Sequence, residues 1–167
     1  KMFGIFVASL VVYFLAGIKV RELSLPFLGH IQLGWWSFPL TIFWILALTN
    51  AVNLIDGLDG LATGVTLISL VTMGIVGFFF LKSWQHYVPI MCIMLAACLL
   101  GFLPYNFHPA KIFLGDTGAL YIGFMISVLS LKGLKNVTFV SLLVPILILG
   151  VPITDTAYAM IRRQLNK

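Results

Sequence analysis

Six nearly uninterrupted apolar runs, at residues 2–18, 38–55, 62–81, 88–105, 117–131 and 138–160, leave this chain few ways to fold in water. A bilayer's hydrocarbon core, about 30 Å thick, asks for roughly 20 apolar residues per helix, with a workable range near 17 to 25. The runs come close to that length, and the fifth needs its flanks, starting a turn earlier, to complete a crossing. Hydrophobic residues are 61% of the chain and charged residues 9%, whereas a soluble domain carries about 25% charge. The sequence therefore predicts an all-α polytopic membrane protein of about six transmembrane helices, a single membrane domain over 1–167. The first run is followed directly by Lys19, Val20 and Arg21 rather than by a polar, small-residue cleavage region, so it reads as a span and not as a signal peptide. The longest polar connection, Lys19 to Ser37, leaves no room for a soluble domain.

The remaining composition excludes several classes. The net charge is +5, but the ten basic residues are scattered singly or in pairs among the loops, which argues against a nucleic acid partner. The bilayer's anionic headgroups and phosphates fit that scatter better. Cys92 and Cys98 lie within the fourth run, on different helical faces and without metal-ligand spacing, and read as small buried residues.

Between Val20 and Trp36 the pattern alternates weakly around Leu23, Leu25, Phe27, Ile31 and Leu33, with Pro26, Gly29 and Gly34 as breakers. A small β-hairpin at 20–36, lying on the membrane surface, is the expectation. Trp35 and Trp36 read as interfacial anchors.

Parity then sorts the loops. With six crossings, residues 56–61, 106–116 and 161–167 share the membrane face of the N-terminal end, and residues 19–37, 82–87 and 132–137 share the other. All four aspartates, Asp56, Asp59, Asp116 and Asp155, gather at the first face, and the one glutamate, Glu22, lies at the second. Basic residues do not orient the protein. Lys1, Lys111, Arg162, Arg163 and Lys167 on one face are balanced by Lys19, Arg21, Lys82, Lys132 and Lys135 on the other.

The first motif is Asn50-Ala-Val-Asn-Leu-Ile-Asp-Gly-Leu-Asp-Gly-Leu-Ala62. On a helix Asn50, Asn53 and Asp56, each three residues from the next, share one face and form a polar ladder that rises to the membrane surface. Gly57 and Gly60 each follow an aspartate and let the backbone turn sharply or approach a ligand while the carboxylates stay free. A tight helical hairpin alone explains the glycines. It does not explain the acids, which cost roughly 2.5–3.5 kcal/mol if drawn to the middle of a span and mark functional sites in membrane chains.

The second motif is Asn106-Phe-His-Pro-Ala-Lys-Ile-Phe-Leu-Gly-Asp-Thr-Gly118. Pro109 ends the preceding helix, and Asp116 or Thr117 is placed to cap the next. A helix N-terminus favours phosphate, Lys111 adds positive charge, and Asp116 is suited to hold a magnesium ion that itself holds phosphate. The plainer alternative stays open: Asp116 as a cap only, and Lys111 as a snorkelling anchor. His108, beside a proline and with no partner at ligand spacing, reads as a locally hydrogen-bonded residue. His30 and His86 fall on the face away from the acids.

These two motifs, with Gly150-Val-Pro-Ile-Thr-Asp-Thr156 and Ile161-Arg-Arg163, resemble the polyprenyl-phosphate N-acetylhexosamine-1-phosphate transferases, glycosyltransferase family 4. The Pro-Ile-x-Asp-Thr element and the lysine after Pro-Ala are more similar to the branch using UDP-N-acetylglucosamine than to the muramoyl-pentapeptide branch, which is the alternative. The resemblance implies transfer of GlcNAc-1-phosphate from UDP-GlcNAc to polyprenyl (undecaprenyl) phosphate with release of UMP, in bacterial cell wall polysaccharide or teichoic acid synthesis. It implies Asp116 as the magnesium ligand, with manganese an acceptable substitute, and Asp56, Asp59 and Asp116 as catalytic residues. Asn53, Asp56 and Asp59 would line the nucleotide and metal site, with Asn50 and Lys111 at the substrate. Asn106 matches a polar nucleotide-site position, and Phe113 an aromatic that stacks on uracil. The acidic face would be cytoplasmic in a bacterial plasma membrane, and a homodimer is left open.

This chain departs from that family's pattern in two places. It carries neither the paired Asp-Asp motif of an earlier cytoplasmic loop nor the histidine-rich motif of a later one, so it reads as an internal fragment, inactive alone. Rival classes explain less. A cation transporter places its acids near the bilayer midplane, whereas Asp56, Asp59 and Asp116 sit at span ends. A CDP-alcohol phosphotransferase needs Asp-Gly-x-x-Ala-Arg and further spaced aspartates, and no acid lies between Asp59 and Asp116. A non-catalytic membrane subunit accounts for the spans but not for the acids.

Overall fold

The structure is a computed structural model that describes residues 1–20, 22–25, 29–80, 86–133 and the single residue Arg162. The sixth apolar run and Asp155 lie outside the described residues. Among the described residues five α-helices follow one another: α1 Met2–Phe14, α2 Ser37–Ile55, α3 Leu61–Phe80, α4 Tyr87–Asn106 and α5 Gly115–Gly133. Between α1 and α2 lie two short antiparallel strands, β1 Glu22–Leu25 and β2 Gly29–Gln32, and a single 3₁₀ turn, Gly34–Trp36. Glu22 pairs with Gln32 and Leu25 with Gly29, which folds the polar connection back on itself.

Among the described residues three segments are long and apolar enough to cross a membrane: Gly34–Ile55, Leu61–Phe79 and Tyr87–Asn106. The expectation of six spans is thus met in part. The first run, predicted as a helix over 2–18, yields a helix of 13 residues, about 20 Å long at 1.5 Å per residue. Its end is a backbone event: Gly17 takes φ +62°, and Ile18 N–H folds back to the Val12 carbonyl. Helix α5 has 19 residues, but Asp116 in its first turn and Lys132 in its last temper its apolar character.

Helix α5 is the hub. Ile122 and Ile126 pack with Leu70 of α3 and Cys92 and Ala96 of α4, Ala119 packs with Val52 and Ile55 of α2, and Leu131 joins Ile5 and Val12 of α1 with Ile45 of α2. Contact between α2 and α5 is so close that a Cβ on Gly123 would lie 2.9 Å from Thr49 Cα. Small residues allow such approach where lipid supplies no hydrophobic drive between helices. Several polar groups in these helices find partners inside the protein, as an apolar solvent demands, the buried Ser37 hydroxyl being an exception. Thr49 Oγ1 donates to the Ile45 carbonyl and Thr66 Oγ1 to the Ala62 carbonyl, each one turn back, while Trp44 Nε1 donates to Ser130 Oγ across α2 and α5 at 3.0 Å.

The helices alternate in direction, so their ends fall into two groups. One holds the start of α1, the α2–α3 turn and the α4–α5 loop. The other is aromatic and basic: Tyr13 and Phe38 rings meet at 5.1 Å, and Lys132 lies over Tyr87 at 5.0 Å. An open apolar cavity of about 860 Å³, lined by Tyr13, Phe14, Trp35, Trp36 and Phe38, belongs to this second end.

Candidate active site

Two loops build the site at the first end. Residues 56–60 join α2 to α3, and residues 107–114 join α4 to α5. Asn106, the last residue of α4, ties them together although it is only 3% exposed. Its Oδ1 accepts from Thr63 Oγ1 of α3 at 2.6 Å, and its Nδ2 donates to the Ile112 carbonyl at 3.0 Å. Both ends of the amide are therefore used within the protein, which makes Asn106 a brace under the second loop. Gly60 seals the junction from above. Its φ is +72°, a conformation that favours glycine, and a Cβ there would lie in ordinary contact with Phe107 Cα at 3.4 Å. The Lys111 and Ile112 amides close the second loop by donating to the Tyr105 carbonyl at 2.8 and 3.1 Å.

Asp116 stands in the first turn of α5. The sequence suggested it, or Thr117, as the helix cap, but α5 already begins at Gly115, whose φ of +67° turns the chain into the helix. With the capping position occupied one step earlier, the Asp116 carboxylate reaches outward to other elements. Oδ1 accepts from Asn53 Nδ2 at 3.0 Å, and Oδ2 pairs with the Lys1 ammonium. Those two partners, Asn53 first, hold the carboxyl below the usual carboxylate range.

Asp56 ends α2 one turn after Asn53. Partial burial, and then the nearby Asp116 charge, push its carboxyl upward, because each disfavours a second negative charge. No protein donor serves it among the described residues. Asn50, the lowest rung of the polar ladder, turns instead to α1, with Nδ2 2.8 Å from Met2 Sδ. The ladder thus splits: Asn53 and Asp56 attend Asp116, and Asn50 does not.

Asp59 belongs to a different group. Its Oδ2 accepts from the Ala110 amide at 3.2 Å and meets His108 Nδ1 at 3.1 Å. These contacts, the Ala110 bond foremost, lower its carboxyl from the usual range. The sequence reading missed His108, whose partner lies 49 positions away on the other loop. Lys1 and Thr63 were likewise invisible, since nothing local in the sequence joins Lys1 to Asp116 or Thr63 to Asn106. Lys111 is exposed, and Phe113 is 70% exposed with no ring stacked on it among the described residues.

Among the described residues no three His, Cys, Asp or Glu side chains form a ready metal cage. Magnesium does not require one, since it keeps several waters and takes one or two carboxylates together with substrate phosphates. Asp56 and Asp116 fit that donor set. They are two mutually repelling carboxylates, one short of a proton donor, at the mouth of a loop that carries Lys111.

Helices long and apolar enough to cross a membrane, with a carboxylate pair and an amide gathered at one end, fit a membrane protein with a polar site at its helix ends. The glycosyl transferase family 4 model matches residues 1–134, and the chain belongs to that family. It is 52% identical over 153 residues to a probable undecaprenyl-phosphate N-acetylglucosaminyl 1-phosphate transferase of Bacillus subtilis (strain 168), covering 90% of this chain and 42% of that protein. It is 42% identical over 127 residues to a phospho-N-acetylmuramoyl-pentapeptide-transferase of Acetivibrio thermocellus, covering 74% and 38%. A protein with the same name from Listeria monocytogenes serotype 4b is 40% identical over 121 residues, covering 72% and 36%. The chain spans less than half the length of these relatives.

Proposed function

We propose that the protein transfers GlcNAc-1-phosphate from UDP-GlcNAc to a polyprenyl phosphate, with Asp56 and Asp116 at its catalytic centre and Asp59 lining the nucleotide side of the site, on the cytoplasmic side of the plasma membrane. The observation that carries this reading is Asp116, held by Asn53 beside Asp56 where three helices end at the membrane surface. Identity of 52% to a relative named for GlcNAc-1-phosphate transfer, against 42% to one named for the muramoyl-pentapeptide reaction, supports the choice of sugar.

In the reaction an oxygen of the lipid phosphate attacks the sugar-bearing phosphorus of the sugar nucleotide. A new P–O bond forms, the anhydride bond to the other phosphorus breaks, and UMP leaves with the bonding electrons. Both reactants are anions, so the site must offset their repulsion and align them in line. Asp56 and Asp116 would hold a magnesium ion, which when bound supplies positive charge to the phosphates. Asn53 fixes the orientation of Asp116 through its amide. Lys111, exposed beside the loop, draws phosphate toward the surface, and Phe113 offers an open ring for a base to stack on. The prenyl tail stays in the bilayer while the nucleotide stays in water, which is why the chemistry belongs at a span end.

Product analysis tests the reading. Membranes containing the full-length protein should release UMP from UDP-GlcNAc only when polyprenyl phosphate and magnesium are both present. Release of UDP would mean ordinary sugar transfer, and cation flux without nucleotide cleavage would mean transport. Either result overturns the proposal.

A further inference from the structure

We propose that His108 is a positioning residue, which clasps Asp59 and locks the two loops of the site into one lip around the nucleotide. The identity of the substrate rests on the function proposed above, whereas the clasp rests on geometry alone. His108 Nδ1 and the Ala110 amide converge on a single oxygen of Asp59, at 3.1 and 3.2 Å. Oδ1 of Asp59 has no hydrogen-bond partner among the described residues. The imidazole is 80% exposed and Asp59 30%, so the contact is not imposed by core packing. Asn106 and Gly60 join the loops elsewhere, and neither has a hydrogen bond to the Asp59 carboxylate. Only the clasp determines which Asp59 oxygen remains available. Among the described residues His108 makes no hydrogen bond or ion pair with the Asp56 or Asp116 carboxylates, so its effect falls on substrate capture rather than on the transfer step.

The atom used makes the claim sharp. The contact is through Nδ1, whose place relative to the backbone matches the side-chain amide nitrogen of asparagine, while the glutamine amide reaches the place of Nε2. His108→Asn should therefore restore the clasp, and His108→Ala and His108→Gln should not. Two measurements on the full-length protein in detergent or membranes decide. In hydrogen exchange, the segment containing the Ala110 amide should exchange about three to ten times faster in His108→Ala and His108→Gln than in wild type or His108→Asn. In UMP release, the same two variants should raise KM for UDP-GlcNAc by a similar factor and leave kcat within about twofold. Unchanged exchange in His108→Ala refutes the clasp. Faster exchange with kcat falling and KM constant refutes its role in substrate capture. A wild type that releases no UMP, yet shows the expected exchange pattern, defeats the proposed reaction and upholds the clasp.

Discussion

Asp56 and Asp59 lie at the same end of the bundle, but their surroundings do opposite things to charge. Around Asp116 a second carboxylate, Asp56, is pushed upward by burial and by its neighbour, so that corner holds more negative charge than its protein donors settle. Around Asp59 an amide and an imidazole take up the charge, and its carboxyl is lowered. An unsettled pair is prepared for a cation from outside, and a settled one is prepared to hold backbone in place. Acids that look alike in sequence thus divide into a chemical pair and a structural anchor, and the difference lies in what the second loop brings to each.

The largest break in that comparison should come from Asp116→Asn. It preserves volume and removes ligand charge, so magnesium-dependent UMP release should fall on the order of 10²–10³-fold, with helical content unchanged by circular dichroism. Activity equal to wild type at limiting magnesium would remove Asp116 from the cation site. Next come the acid titrations, whose signs should oppose. Asp56 is raised in the folded protein, so it favours folding below its ordinary value and that contribution is lost as pH climbs through the folded value. Asp59 is lowered, so its contribution is present above its ordinary value and is lost as pH falls through the folded one. Without added cation, Asp56→Asn should therefore raise the melting temperature at neutral pH and Asp59→Asn should lower it. Magnesium should stabilise the wild type and fail to stabilise Asp56→Asn. Shifts of the same sign in both variants would mean that the two corners are electrostatically alike.

Much of the bundle was legible from apolar run lengths alone, because hydropathy is a property of contiguous residues. Helices α2, α3 and α4 begin and end within one or two residues of the runs. The first helix was overextended because Gly17 stops it by its backbone conformation, which an apolar count does not register. Parity placed Asp56, Asp59 and Asp116 at one end, and the Asn53 rung of the ladder does reach Asp116. Helical spacing did not reveal that Asn50 leaves the ladder for Met2, since that depends on where α1 docks. Nor could it pair His108 with Asp59 or Thr63 with Asn106, whose contacts exist only once two separate hairpins lie side by side.

A smaller effect should come from Gly60→Ala, which perturbs the Asp59 side of the comparison and spares the Asp116 side. An alanine at φ +72° is strained by about 1 kcal/mol, because its methyl, though only in ordinary contact with Phe107, disfavours that backbone conformation. The second loop should loosen, with KM for UDP-GlcNAc rising several-fold, while the magnesium concentration giving half-maximal activity stays put. A shift in the magnesium requirement instead would show that the two corners are mechanically coupled.

The smallest effect belongs to Lys111→Gln, which touches neither carboxylate group. The side chain is exposed and has no hydrogen-bond or ion-pair partner among the described residues, so removing its charge breaks no contact. What remains is its field, acting on a sugar nucleotide that approaches through water and is screened over roughly 10 Å at 0.1 M salt. Loss of one such charge should raise KM by about two- to threefold at low ionic strength and by almost nothing above roughly 0.5 M salt, with kcat unchanged. A salt-independent loss of kcat would place the Lys111 ammonium against the reacting phosphates, and would move the second loop from the settled side of the comparison to the chemical one.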